Sequence, residues 1–231
     1  MKNISLVTLA TDNLPYKEAS LSNKKAYCKK HDYNFVSFSE SLDEGRPTPW
    51  SKIKAMEEVL DGNKIGYETF HTDWAVWIDA DAFIMNDEIK LESFINEEYA
   101  MIIALDSFTV NTGVFFLKNT ENSKEFLSKC YEKTHFSNHP WWEQAAVIEY
   151  LNEPNGLKVK TLHQREINSY PSVLKEITNS DWTKTKHQLF FNNRKLAEEG
   201  SYEEGDFILH FAGFKSQEDK LESIKSYDIN G

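Results

Sequence analysis

Residues 74–86 read Trp-Ala-Val-Trp-Ile-Asp-Ala-Asp-Ala-Phe-Ile-Met-Asn, and this order of apolar and acidic side chains decides the fold class. Trp74 to Ile78 predicts a buried strand by its length and its Trp, Val and Ile content. Asp79 and Asp81 fall where that strand leaves the sheet. Carboxylates at i and i+2 of an extended chain point the same way. Two like charges flanked by Trp77, Ile78, Phe83, Ile84 and Met85 are costly to bury without a partner. A divalent cation resolves the conflict, and oxygen ligands suit manganese or magnesium. The stretch points to a metal-bridged phosphate site at the carboxyl edge of an α/β sheet. Solvated turn aspartates are the plainer alternative, and the apolar flanks weigh against it.

Outward from this stretch, strands and helices alternate. Ile4 to Ala10 predicts a first strand, broken by Asn13, Leu14 and Pro15. Lys17 to His31 predicts a helix with Ala19, Leu21, Ala26 and Tyr27 available for its core face. Tyr33 to Phe38 alternates with period two and predicts the second strand. Trp50 to Leu60 predicts a helix, with Ile53, Met56, Val59 and Leu60 on one face and Gly62 as its stop. Met101 to Leu105, Gly113 to Leu117 and Phe207 to Phe211 predict further strands. A helix over Ser123 to Thr134 is expected to start at Asn122, with Glu125 at capping-box spacing. Another is expected from Trp141 to about Leu151, opened by Pro140. The segment from Leu157 to Glu204 is less regular, and the tail from Ser216 onward predicts a polar surface wrap. The pattern is that of an α/β sandwich with a mostly parallel sheet.

A chain of 231 residues can bury a full core as one domain. Its formal net charge of -11 argues against a nucleic-acid or anionic-membrane partner. An anionic substrate would then need local cations or a bound metal. Cys28 and Cys130 read as reduced thiols. No run reaches membrane-spanning length and the start has no signal-peptide core, so the expected location is cytoplasmic.

Four further groups carry chemistry. His210, in the apolar run Phe207 to Phe211, reads either as a hydrogen-bonded core residue or as a third ligand beside two carboxylates. Gly213 and Lys215 follow it, a close backbone approach and a cation suited to a diphosphate. Pro140-Trp141-Trp142-Glu143-Gln144 reads either as a helix start with a first-turn acid or as a sugar site. In the second reading Trp141 or Trp142 lies on a sugar face, and Glu143 and Gln144 bond its hydroxyls. Asn111-Thr112-Gly113 reads either as a turn before a strand or as an amide facing the acidic pair. Lys52 lies near a helix start against the usual charge preference. It is either exposed or meets a phosphate or an acid.

Taken in order, these segments resemble one glycosyltransferase family, that of the fungal α-galactosyltransferases, α-mannosyltransferase subunits and plant xyloglucan α-xylosyltransferases. The blocks are Asn23-Lys24 with Tyr27, His31-Asp32-Tyr33, Trp50-Ser51-Lys52-Ile53, Asp79-Ala80-Asp81 through Asn86, and Asn111 through Asn119. They continue with His139 through Ala146, Gln164 with Asn168-Ser169-Tyr170, and Gly205 through Gly213. Asp32 stands where the family usually has glycine, and the usual Golgi anchor and stem are not in the sequence. The resemblance implies a GT-A fold, Rossmann-like, in a single catalytic domain over 1–231. Residues 1–110 would form the nucleotide-binding half, 111–215 the sugar and acceptor half, and 216–231 the tail. It implies Mn2+ (or Mg2+) held by Asp79, Asp81 and His210. Lys215 would meet the diphosphate, and Asn111, Glu143 and Gln144 the transferred sugar. Thr8, Ala10 and Thr11 would meet the nucleoside, with Tyr33, Lys52 and Ala80 nearby.

The reaction so implied is metal-dependent, retaining transfer of a sugar, foremost galactose from UDP-galactose, to a glycan acceptor. Gln144 is a poor nucleophile, which favours same-face attack over double displacement. Two other readings compete: an inactive nucleotide-sugar- or glycan-binding module, and a metal-dependent phosphohydrolase with Asp79 as nucleophile. The second usually places its acidic pair after the first strand.

Overall fold

In the computed structural model the described residues are 2–62, 71–106, 109–171, 200–214 and 216–229. Six strands form one sheet in the order β2-β1-β3-β6-β5-β7. They are β1 (Ile4–Leu9), β2 (Asn34–Phe38), β3 (Trp74–Ile78), β5 (Met101–Leu105), β6 (Val110–Lys118) and β7 (Val159–His163). β1 runs parallel to β2 and β3, and β5 runs parallel to β7. β6 is antiparallel to both neighbours, β3 and β5. Every residue of β1 and β3 is buried, the mark of a sheet covered on both faces. β4 (Ala82–Ile84) and β8 (Ile208–His210) form a separate antiparallel ribbon.

Alternation along β3 divides the core. Ala75 and Trp77 pack with Trp50, Ile53 and Met56 of the α2 (Ser51–Leu60) region and with Phe126 of α3 (Glu121–Glu132) and Ala145 and Ala146 of α4 (Trp142–Asn152). Trp74, Val76 and Ile78 face the other way, onto Tyr27 and Cys28 of α1 (Lys17–His31) and the β4–β8 ribbon. A third cluster joins Ala10, Tyr16, Phe83, Leu209 and Phe211 to Ile224 of α6 (Gln217–Lys225). α5 (Gln164–Ile167) is a single turn after β7. Cys28 and Cys130 are free and buried, and burial pushes the Cys28 thiol up to about 12.

Several local expectations are corrected. The inward face of α1 is Ser20, Lys24, Tyr27 and Cys28, while Ala26 is exposed. The polar pair on this face has a purpose. The Asn23 side chain donates to Ile84 O (2.9 Å) and accepts from Ile84 N (2.8 Å), and Lys24 Nζ donates to Ala82 O (2.7 Å). β4 is three residues long, so these side chains stand in for a neighbouring strand along its second edge. Asp32 ends α1 at φ 61°, the left-handed conformation that a glycine takes freely and an aspartate tolerates. Residues 111–113 lie inside β6, not in a turn before it. The tail forms α6, capped by Ser216, whose hydroxyl accepts from Asp219 N.

The start of α3 is Thr120, not Asn122: the Thr120 hydroxyl accepts from Ser123 N at 3.2 Å. Thr120→Ala should therefore cost about 1 kcal/mol of stability. Asn122→Ala should cost less than half as much, as read from urea unfolding of both variants.

Candidate functional site

β3 ends at Ile78, and the chain turns at once: Asp79 N donates to Gly113 O (2.8 Å) and Ala82 N to Asp79 O (3.1 Å). β4 then pairs with β8 so that Ala82 lies opposite His210, and Phe211 N donates to Asp81 O at 2.8 Å. Asp79, Asp81 and His210 thereby converge, each offering one ligand atom within 4.8 Å of the others. His210 Nε2 is 3.3 Å from Asp81 Oδ1 and 3.8 Å from Asp79 Oδ2. The cluster lies at the carboxyl edge of the parallel strands, as the sequence predicts.

The far oxygen of each carboxylate is held by a cation. Asp79 Oδ1 accepts from Trp77 Nε1 (2.6 Å) and lies 3.1 Å from Lys52 Nζ, which also reaches Oδ2 at 3.5 Å. Asp81 Oδ2 takes a short bond from Lys220 Nζ of α6. Burial works against the charge of Asp81, but the Lys220 ammonium and the His210 imidazole outweigh it and hold this carboxyl well below its usual range. Two oxygens and one ring nitrogen remain facing one another, a donor set that suits manganese.

His210 is fixed from behind. Its Nδ1 lies 2.7 Å from Asn168 Oδ1, a contact that needs the proton on Nδ1, so Nε2 is the ring nitrogen that faces the carboxylates. Its ring occupies the space a side chain would fill at position 113: a Cβ on Gly113 would lie 2.1 Å from His210 Cε1. Tyr170 packs edge-on against the imidazole, and its hydroxyl donates to Asp106 Oδ2 at 3.1 Å.

Lys52 is buried and meets acids, not solvent. Its ammonium lies 2.7 Å from Glu143 Oε1 as well as beside Asp79, and donates to Thr112 O at 2.9 Å. Burial opposes its charge, yet Asp79 and Glu143 together keep its pKa above the ordinary lysine value. Burial pushes Glu143 up despite Lys52. Thus Glu143 is engaged by Lys52 and Thr112. Gln144 Oε1 accepts from Thr112 N (3.1 Å), and its amide nitrogen has no bonded partner among the described residues. Asn111 is engaged as well: Oδ1 accepts from Gly113 N (2.8 Å), and Nδ2 donates to Asp106 Oδ2 (3.0 Å) and Tyr170 Oη (2.6 Å).

Ala10 follows the carboxyl end of β1, next to β3, and shares a packed cluster with Ala80. Thr8 is buried, and its hydroxyl has no partner among the described residues. Thr11 Oγ1 donates to Asn13 Oδ1 at 2.5 Å. Tyr33 is not brought to this edge. It precedes β2, at the end opposite Ala10, where its hydroxyl donates to Glu92. Trp142 is exposed, at φ 42°, and Trp141 packs on the core. Lys215 lies outside the described residues. Sequence reasoning missed Lys220, Asp106, Asn168 and Tyr170 as parts of the site. Only the block Asn168-Ser169-Tyr170 carried a signal, and that signal came without a role.

This sheet order with its antiparallel sixth strand is the GT-A glycosyltransferase fold. A crystal structure of a glycosyltransferase involved in the glycosylation of the major capsid of PBCV-1 superposes with a TM-score of 0.68 at 17% identity, covering 97% of this chain and 100% of that one. The chain belongs to the galactosyl transferase GMA12/MNN10 family, which it matches over residues 7–99 and 95–220. It is 25% identical to an uncharacterized alpha-1,2-galactosyltransferase of Schizosaccharomyces pombe, over 86% of this chain and 56% of that protein. It is 26% identical to the probable alpha-1,6-mannosyltransferase MNN10 of Saccharomyces cerevisiae, over 66% of this chain and 47% of that protein. The chain spans about half the length of these curated relatives. No helix among the described residues is long and apolar enough to cross a membrane.

Two outcomes follow from the site's packing. Gly113→Ala should destabilise by about 1–3 kcal/mol in urea unfolding, because the imidazole has nowhere to go. Asp81→Asn, measured in EDTA, should be less stable than the wild type at neutral pH, since Lys220 loses its counter-charge. The Asp81 pKa is depressed on folding, so its contribution is present in full above the unfolded value of about 3.9 and declines progressively below it, toward the depressed folded value. The gap between variant and wild type should narrow progressively as the pH falls below about 4.

Proposed function

We propose that this chain is the catalytic domain of a metal-dependent, retaining glycosyltransferase. It moves a sugar, foremost galactose from UDP-galactose, to a glycan acceptor. The observation that carries the reading is the convergence of Asp79, Asp81 and His210 at the sheet edge of a GT-A fold. The family and the fungal relatives named as galactosyltransferases support galactose as the sugar. The proposed division of labour gives nucleotide binding to residues 1–110, and sugar and acceptor binding to 111–215.

In this reading Asp79 Oδ2, Asp81 Oδ1 and His210 Nε2 hold a divalent ion, manganese foremost. Such an ion supplies electrostatic stabilisation of the departing diphosphate. Lys215 meets the same diphosphate. Glu143 keeps Lys52 beside Asp79, and the pair sets the angle of that carboxylate. Asn111, oriented by Asp106 and Tyr170, lines the sugar side. Gln144 offers its amide nitrogen to the sugar and is unsuited to act as a nucleophile. The bond from the anomeric carbon to the diphosphate oxygen breaks as the acceptor oxygen bonds to the same face. The acceptor proton passes to a diphosphate oxygen. The engaged state of Asp79, between Trp77 and Lys52, weighs against a phosphoryl-accepting carboxylate and hence against a phosphohydrolase.

Hydrolysis of UDP-galactose with and without Mn2+ tests the reaction class. Asp79→Ala and Asp81→Ala should each abolish turnover, whereas Gln144→Ala should slow it about 100-fold with Mn2+-dependent UDP binding retained. Wild-type activity undiminished in EDTA, or a β-linked product by NMR from an α-linked donor, would sink the proposal.

A further inference from the structure

Lys220 belongs to no expected part of the site, yet it makes the closest contact with Asp81. α6 is anchored away from the carboxylates by Ile224, with Leu221 and Tyr227, on the cluster of Phe211, Leu209 and Tyr16. This packing leaves Lys220 only 9% exposed and delivers its ammonium to Asp81 Oδ2. The family match ends at residue 220, within α6.

Counting charges around the cluster gives the consequence. Asp81 is matched by Lys220, and Asp79 and Glu143 share Lys52. Lys24 lies behind them, its ammonium bonded to Ala82 O and Ser20. Three carboxylates thus meet two directly paired ammonium groups, so all but one of their charges are already offset by lysines. A divalent cation arriving alone adds two positive charges beside an ammonium that packing prevents from withdrawing far. A diphosphate arriving with it restores the balance. We propose that Lys220 is a positioning and charge-balancing residue that makes divalent-cation binding conditional on an anionic diphosphate. The inference rests on the metal-site reading given above. Two effects of removing Lys220 oppose each other. Losing its hold on Oδ2 frees one carboxylate rotamer, which weakens metal binding slightly. Losing its charge removes a short-range repulsion on a doubly charged ion, which is the larger effect.

The test is Mn2+ binding, followed by the EPR signal of free Mn2+, for the wild type, Lys220→Met and Lys220→Arg, each alone and with UDP or GDP. The wild type should bind Mn2+ weakly alone and at least about tenfold more tightly with one of the nucleotides. Lys220→Met should bind Mn2+ alone about tenfold more tightly than the wild type, and the nucleotide should then add little. Lys220→Arg, which keeps the charge, should retain the dependence on nucleotide. Lys220→Gln gives the same comparison if Lys220→Met does not fold. Weaker or unchanged Mn2+ binding by the neutral variants would overturn the inference alone and leave Lys220 as a structural contact. A wild type that binds no Mn2+ under any of these conditions would overturn the metal-site reading as well.

Discussion

Antiparallel pairing of Ala82–Ile84 with Ile208–His210 is the contact on which the site depends. Each strand has only three residues, too short to persist alone, and both are held by their surroundings. Asn23 and Lys24 satisfy the outer edge of β4, while Ser169 O accepts from His210 N on the far side of β8. The ribbon's register puts His210 beside Asp81. A slip of one residue would turn the imidazole to the other face. The helix that precedes the second strand thus determines, through two polar side chains, where the third residue of the cluster falls.

Around that geometry the protein keeps charges in the interior that would be untenable singly. Lys24 shows the strain most directly: burial pushes its pKa down to about 7, although Asp81 and Asp79 pull in the opposite direction. Lys52 is also buried, but two carboxylates in direct contact keep it charged. The difference is that Lys24 has only a carbonyl and a hydroxyl as bonded partners. The anionic surface implied by a net charge of -11 is therefore compatible with a phosphate-binding edge, because the cations are concentrated beneath it.

The strands and the acidic pair were legible because a buried parallel strand must be apolar throughout, and Trp74 to Ile78 shows no other pattern. Helix faces were less so. α1 buries Ser20 and Lys24 in place of Ala26, since its task is to close the edge of a strand and not only to fill a core. Lys220 was invisible because a lysine in a polar tail has no local signature. Its partner is fixed by the packing of Ile224 and its neighbours, a tertiary fact. Tyr33 shows the converse error. It neighbours a strand of the nucleotide half, but at the amino end, and sequence proximity does not say which end of a strand a residue serves.

Gly113 and His210 have a bearing on how the chain comes to exist. The imidazole seats in the gap left by the missing side chain in β6, and its other supports, Asn168 and Asp81, come from still other parts of the chain. During synthesis the acids emerge long before the histidine, so a nascent chain carries the pair without the third partner. The cluster can close only when β8 is released and docks, so its assembly waits on a late-emerging segment.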